Sequence, residues 1–151
     1  MIEGVRVKQL QAVPDERGRL MVVLSREDDV FVRFGQVYIT TAYPGVVKAW
    51  HCHKVQTDFL CALTGMVKLV LYDARADSPT RGEVQEFFMG EHSPLLVVVP
   101  PMVYHGFKCI GVAEAIVLNC PTEPYNPQNP DELRIPPDSA EIPYQWQRRD
   151  Q

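Results

Sequence analysis

A chain of 151 residues, 46% hydrophobic and 23% charged, can bury one core without disulfide or metal staples, which points to a single soluble domain. A formal net charge of -4 argues against an electrostatic nucleic-acid binder, and no run approaches the roughly 18 apolar residues of a membrane helix. The opening Met1–Leu10 has no apolar core of signal-peptide type, and the four cysteines, Cys52, Cys61, Cys109 and Cys120, form no CxxC pair. A cytoplasmic protein with reduced thiols and no nucleic-acid or membrane partner is expected.

Thirteen prolines and nine glycines argue against long helices. Short strands between turn signals are expected instead. In chain order they are Val5–Leu10, Leu20–Leu24, Gln36–Thr41, Val46–His53, Asp58–Leu63, Met66–Tyr72, Val84–Met89, Leu95–Val99, His105–Cys109 and Ala113–Leu118. Turns fall at "PDERG", "YPG", "TG", "DSPTRG" and "GEHSP". The continuous apolar run "LLVVVP" reads as a strand covered on both faces. Many short strands at this spacing suggest a sandwich or barrel. Seven prolines between Pro121 and Pro143 make that stretch unfit for a central strand, so 121–151 is expected to wrap the outside of one domain spanning 1–151.

The chemistry-bearing residues cluster on two of these strands. His51 and His53 share one strand face, while Trp50 and Cys52 point the other way into a second packing layer. His105 comes from another strand. Converging imidazoles with Asp58 nearby could bind a divalent transition metal, or they could be polar pocket histidines without one. The odd spacing of five between His53 and Asp58 puts the carboxylate on that face only if the chain bends at "KVQT".

The spacing Gly45, His51-x-His53, Asp58, Gly65 resembles the first motif of the cupin superfamily, with Asp58 where Glu is usual. "PPMVYH" resembles the second motif, with Met102 in place of its glycine and His105 as its histidine. The resemblance implies an all-β double-stranded β-helix, or jelly roll. Several segments look more closely like the dTDP-4-dehydrorhamnose 3,5-epimerase family, a cupin branch. They are "PDERGRL", "GVVKAWH", "LYDARADSPTRGE", "VVPPMVYHGF" and "IPPDSAEIPYQW", in order from Asp15 to Trp146. That family is dimeric, which implies a homodimer in which a strand such as Val5–Leu10 extends the partner's sheet.

Carried over residue by residue, the resemblance makes His51 the catalytic base, Asp138 its partner and His105 the second active-site histidine. Arg17 would contact the nucleotide diphosphate. Lys48 replaces an arginine, keeping the charge but losing the bidentate fork. The family's active-site lysine aligns with Asp58. Its catalytic tyrosine, thirteen residues after the histidine of H-G-F, aligns with Leu118. His53, Asp58 and Tyr38 complete the expected substrate-binding set. A plainer reading stands beside several of these: Asp138 as a turn residue, Arg17 and Lys48 as solvated charges, and Tyr38 and Tyr104 as amphipathic wall residues.

The implied reaction acts beside the ketone of a 4-keto-6-deoxy sugar nucleotide, without a cofactor. A base removes the C–H proton, the enolate is stabilised, and an acid returns a proton from the opposite face. Lys48 or His105 could stabilise the enolate oxygen, and Leu118 has no proton to give. A full 3,5-epimerase is therefore not expected; a single-site epimerase or a ketoisomerase is. "HCHKVQ" also looks like the H-x-H-K of the sugar 3,4-ketoisomerases, whose histidines work without a metal. The rivals are a metal-dependent cupin using His51, His53, Asp58 and His105 as ligands, and a non-catalytic sugar-binding module.

Overall fold

The computed structural model describes residues 1–150. Twelve strands follow one another: β1 (Arg6–Gln9), β2 (Ala12–Asp15), β3 (Gly18–Met21), β4 (Tyr38–Ala42), β5 (Val47–Cys52), β6 (Asp58–Thr64), β7 (Met66–Asp73), β8 (Val84–Gly90), β9 (Leu95–Val99), β10 (Val103–Cys109), β11 (Ala115–Asn119) and β12 (Leu133–Arg134). Among the described residues no helix is long and apolar enough to cross a membrane. The first sheet has the order β1-β9-β6-β11-β4 and the second β12-β5-β10-β7-β8, with β2-β3 as a separate hairpin. Every pairing is antiparallel. The protein is thus all-β, two facing sheets forming a jelly roll.

Strand alternation builds three apolar layers from this arrangement. Inward residues of both sheets, among them Leu60, Val67, Leu69, Leu71, Val97, Phe107 and Val117, form the core between the sheets. Each such side chain contributes about 1.5–3 kcal/mol on burial. The outer face of the first sheet, at Phe59, Cys61, Leu96 and Val98, is covered by Leu10 and by Met21, Val23, Leu24 and Val30 of the N-terminal segment. Because "LLVVV" sits between two layers, it carries no polar alternation. Trp50 and Val70, on the outer face of the second sheet, are covered by Ile142 and Trp146 from the tail. Lys108 Nζ donates to the Trp146 carbonyl at 2.8 Å, and the Tyr144 hydroxyl donates to Glu86.

The ends of several strands differ from the sequence reading. The segment expected at Leu20–Leu24 pairs at Gly18–Met21, because Asp15 and Gly18 close a tight hairpin over Glu16 and Arg17. Its partner β2 was not expected, since it contains Pro14. A proline is tolerated here because the two-stranded hairpin has no neighbour on the side of its missing N–H. The proline-rich tail contributes only the two residues of β12, at the sheet edge.

The "LYDARADSPT" stretch is a structural knot between β7 and β8. Asp73 is fully buried and accepts from Arg75 Nε at 2.8 Å, Ser78 Oγ at 2.5 Å and Thr80 Oγ1 at 2.6 Å. These contacts hold its carboxyl well below the usual carboxylate range despite burial. None of the four residues lines the main cavity.

Candidate active site

The cavity between the sheets encloses about 800 Å³. Its histidine wall is built by β5 and β10, which pair with His105 directly opposite His51. Gly106 permits the close approach: a Cβ there would lie 2.3 Å from the Ala49 Cβ. Three imidazoles result, with the His105 ring 6.3 Å from that of His51 and 5.8 Å from that of His53. Trp50 and Cys52 point outward and are fully buried, as the alternation required.

His51 is oriented by a carboxylate. Its Nδ1 lies 2.7 Å from Glu132 Oε1, and the other oxygen of Glu132 accepts from Arg134 Nη2 at 2.8 Å. The arrangement depends on β12, which pairs Leu133 with Cys52 and Arg134 with His51. A carboxylate can only accept, so Nδ1 carries the proton and Nε2 keeps its lone pair. Burial pushes the His51 pKa down, against the opposing pull of Glu132. Glu132 is itself held low, because Arg134 and His51 outweigh its burial.

The second centre is Asp58, with 1% of its surface exposed. The chain leaves β5 at Cys52 and turns through Lys54–Gln56, where three backbone N–H groups donate to the Asp131 carboxylate. This is the bend that "KVQT" had to supply, and it brings Asp58 to the head of β6. Asp58 Oδ2 lies 3.2 Å from Nε2 of His53 and 3.2 Å from Nε2 of His105. Its Oδ1 accepts from Gln56 Nε2 at 2.8 Å and Asn119 Nδ2 at 2.7 Å. Burial resists ionisation, but the two histidines hold the carboxyl far below its ordinary range. Both rings bond backbone carbonyls through Nδ1, His53 to Asp131 and His105 to Val103. Nε2 of each therefore faces the carboxylate. Burial opposes charge on His53, yet Asp58 and Asp131 raise its pKa to about 9. The ligand atoms of His53, Asp58 and His105 all lie within 4.8 Å of one another, a set able to hold a metal ion.

The other expected residues divide. Lys48 lines the cavity, with Nζ donating to Thr40 Oγ1 at 2.9 Å. Tyr38 lines the same space. Asp138 does not reach His51. It is exposed, beyond β12 in the tail, and Glu132 occupies the expected place. Arg17 is exposed in the β2–β3 turn and pairs with Asp15 at 2.6 Å, outside the cavity of its own chain. His51, expected as a fourth metal ligand, stands outside the His53–Asp58–His105 cluster because Glu132 draws its ring away. Met102, where the resembled motif has glycine, takes φ 63°, a left-handed backbone that glycine adopts more readily.

Sequence reasoning missed Glu132, Asn119 and Gln56. The only signal for Glu132 is the charged Glu-x-Arg between Pro130 and Pro136, a stretch with room for one short edge pairing. Asn119 is a polar residue ending an otherwise apolar strand.

Two facing sheets with imidazoles lining the space between them define a cupin-type protein. The sequence profile of the family described as dTDP-4-dehydrorhamnose 3,5-epimerase matches residues 1–151. The chain belongs to that family of sugar-nucleotide epimerases and is an isomerase-class enzyme. It is 40% identical over 146 residues to the spore coat polysaccharide biosynthesis protein SpsL of Bacillus subtilis, covering 97% of each chain. It is also 40% identical over 147 residues to a Haloferax volcanii protein named "Probable low-salt glycan biosynthesis epimerase", covering 96% of this chain and 94% of that one. The crystal structure of a dTDP sugar isomerase from Desulfovibrio desulfuricans is 32% identical and superposes with a TM-score of 0.91 over 96% of this chain and 92% of that one.

Proposed function

We propose that the protein is a nucleotide-sugar epimerase acting beside the ketone of a dTDP-linked 4-keto-6-deoxy sugar, as a cytoplasmic homodimer, with His51 as base. The observation that carries this reading is the 2.7 Å contact between His51 Nδ1 and Glu132. It fixes the tautomer and leaves Nε2 free to take a proton from carbon, and the carboxylate then stabilises the imidazolium. Lys48 supports the enolate: its partner Thr40 is neutral, so its charge is available to an oxyanion. The family description, with its 4-dehydro sugar, supports the substrate class. For the dimer, β1 lies at a sheet edge and has one unpaired side. Sedimentation as a monomer at micromolar concentration would remove that part.

The test is deuterium wash-in from D2O at the carbon beside the ketone of a dTDP-4-keto-6-deoxyhexose. His51→Asn should lose about 10²–10⁴ in exchange rate while still binding the nucleotide sugar. Glu132→Gln should fall part of the way. Exchange by His51→Asn at the parental rate would sink the assignment of the base.

A second reading is favoured by the His53–Asp58–His105 cluster. With Nδ1 of both rings turned to backbone carbonyls, their Nε2 atoms and Asp58 offer two nitrogens and an oxygen, a donor set suited to Zn, Ni or Fe over Mg or Ca. A bound metal would act as a Lewis acid toward the sugar's oxygens. If purified protein carries under about a tenth of an equivalent of any transition metal, and added metal neither binds nor activates, this reading is gone.

A further inference from the structure

We propose that Tyr38 is the proton donor on the face of the sugar opposite His51, completing the inversion that the preceding reading requires. The resemblance assigns this step to a tyrosine thirteen residues after His105, where Leu118 stands. The fold shows that no side chain at 118 can serve. Along β11, Val117 enters the core between the sheets and Asn119 enters the cavity. Leu118, between them, faces outward and is paired with Cys61 of the outer layer. The cavity instead holds a tyrosine from the adjacent strand, since β4 places Tyr38 directly opposite Asn119.

Hydrogen-bond accounting gives Tyr38 its role. Asn119 Oδ1 accepts from the Phe59 backbone N–H at 2.9 Å, which fixes the amide's orientation. Its Nδ2 then donates to Asp58 Oδ1 at 2.7 Å and to the Tyr38 hydroxyl oxygen at 3.0 Å. Because the hydroxyl accepts from Asn119, its own proton is left to donate elsewhere, and Tyr38 lines the cavity. Tyr38 is 43% exposed, and a phenol, whose ordinary pKa is about 10, carries its proton at neutral pH. After transfer, the same Asn119 donor stabilises the phenolate.

Position completes the argument. His51 belongs to β5 in the second sheet and Tyr38 to β4 in the first, so base and acid stand on opposite walls of one cavity. His51 Nε2 takes the proton of the C–H bond, and its electron pair becomes the enolate. The enolate carbon takes the Tyr38 proton on its other face, forming the new C–H bond. Water then carries the proton from imidazolium to phenolate, and no electrons leave or enter the system.

The test is Tyr38→Phe with a dTDP-4-keto-6-deoxyhexose in D2O, following by NMR both wash-in at carbon and formation of the epimer. Exchange by His51 should continue within a few-fold of the parent, while epimer formation falls about 10²-fold or more. Leu118→Tyr should leave the parent unchanged and should not rescue Tyr38→Phe. Parental epimerisation by Tyr38→Phe, parallel loss of exchange and epimerisation, or rescue by Leu118→Tyr each overturns the assignment. If the parent neither exchanges nor epimerises, the reading of the site as an epimerase fails, and the role of Tyr38 fails with it; that result differs from the other three.

Discussion

Asp58 and Asp73 are the same residue at the same depth, with 1% and 0% of their surface exposed, and each is wrapped in donors. They differ in what balances their charge. Asp73 faces Arg75, whose charge is permanent, and two hydroxyls. Asp58 faces two imidazoles beside an open cavity. A left-handed residue hydrogen-bonds next to each site as well. Gly82, at φ 84°, donates to the Asp73 carbonyl at 2.7 Å, whereas Met102, at φ 63°, donates to the His53 carbonyl at 2.7 Å. The knot uses the residue that adopts this backbone without strain, and the cavity side does not. Burial of a carboxylate alone therefore says little about function. What balances its charge, and strain left in place beside it, say more.

Five substitutions can break or sharpen this contrast. The largest effect belongs to Asp58→Asn, which keeps the shape and removes the anion that both histidines face. Turnover should fall about 10³-fold, roughly 4 kcal/mol of barrier, and full activity in this variant would end the distinction. Asp73→Asn should leave activity per folded molecule unchanged but cost about 3 kcal/mol in urea unfolding. Its acid limb should also flatten. The folded-state pKa of Asp73 lies below its ordinary 3.8, so the stabilisation is complete above about pH 4 and is lost as pH falls further. Gly106→Ala should cost about 2 kcal/mol and lower activity as well, because its Cβ would push β5 from β10 and spread the histidine wall. Smallest is the pair of backbone tests. Met102→Gly should gain up to about 1 kcal/mol and Gly82→Ala should lose about as much, read as opposite shifts of the urea midpoint.

Periodicity carried most of the fold. The opposed faces of Trp50–Cys52 and His51–His53 were legible because strand alternation is a local rule, and so was the two-sided burial of "LLVVV". The need for a bend before Asp58 was legible from parity alone. Long-range register was not. Nothing local pairs Arg134 with His51, so Glu132 went unseen and Asp138 stood in its place. Counting thirteen residues from His105 reached Leu118, but alternation along β11, which pairs regularly with β4, turns Leu118 outward and Asn119 into the cavity. Pro14 hid β2, because a rule for proline in sheets applies only once the neighbours of a strand are known.

The two residues of β12 leave one more consequence. His51 sits in the body of a sheet, yet the group that aims it arrives on a strap fastened mostly by Ile142 and Trp146 against Trp50. Where a carboxylate must be in space and where it must be in the chain are here separate requirements. The aim of His51 in this chain is therefore set by packing about ten residues further along the tail than Glu132 itself.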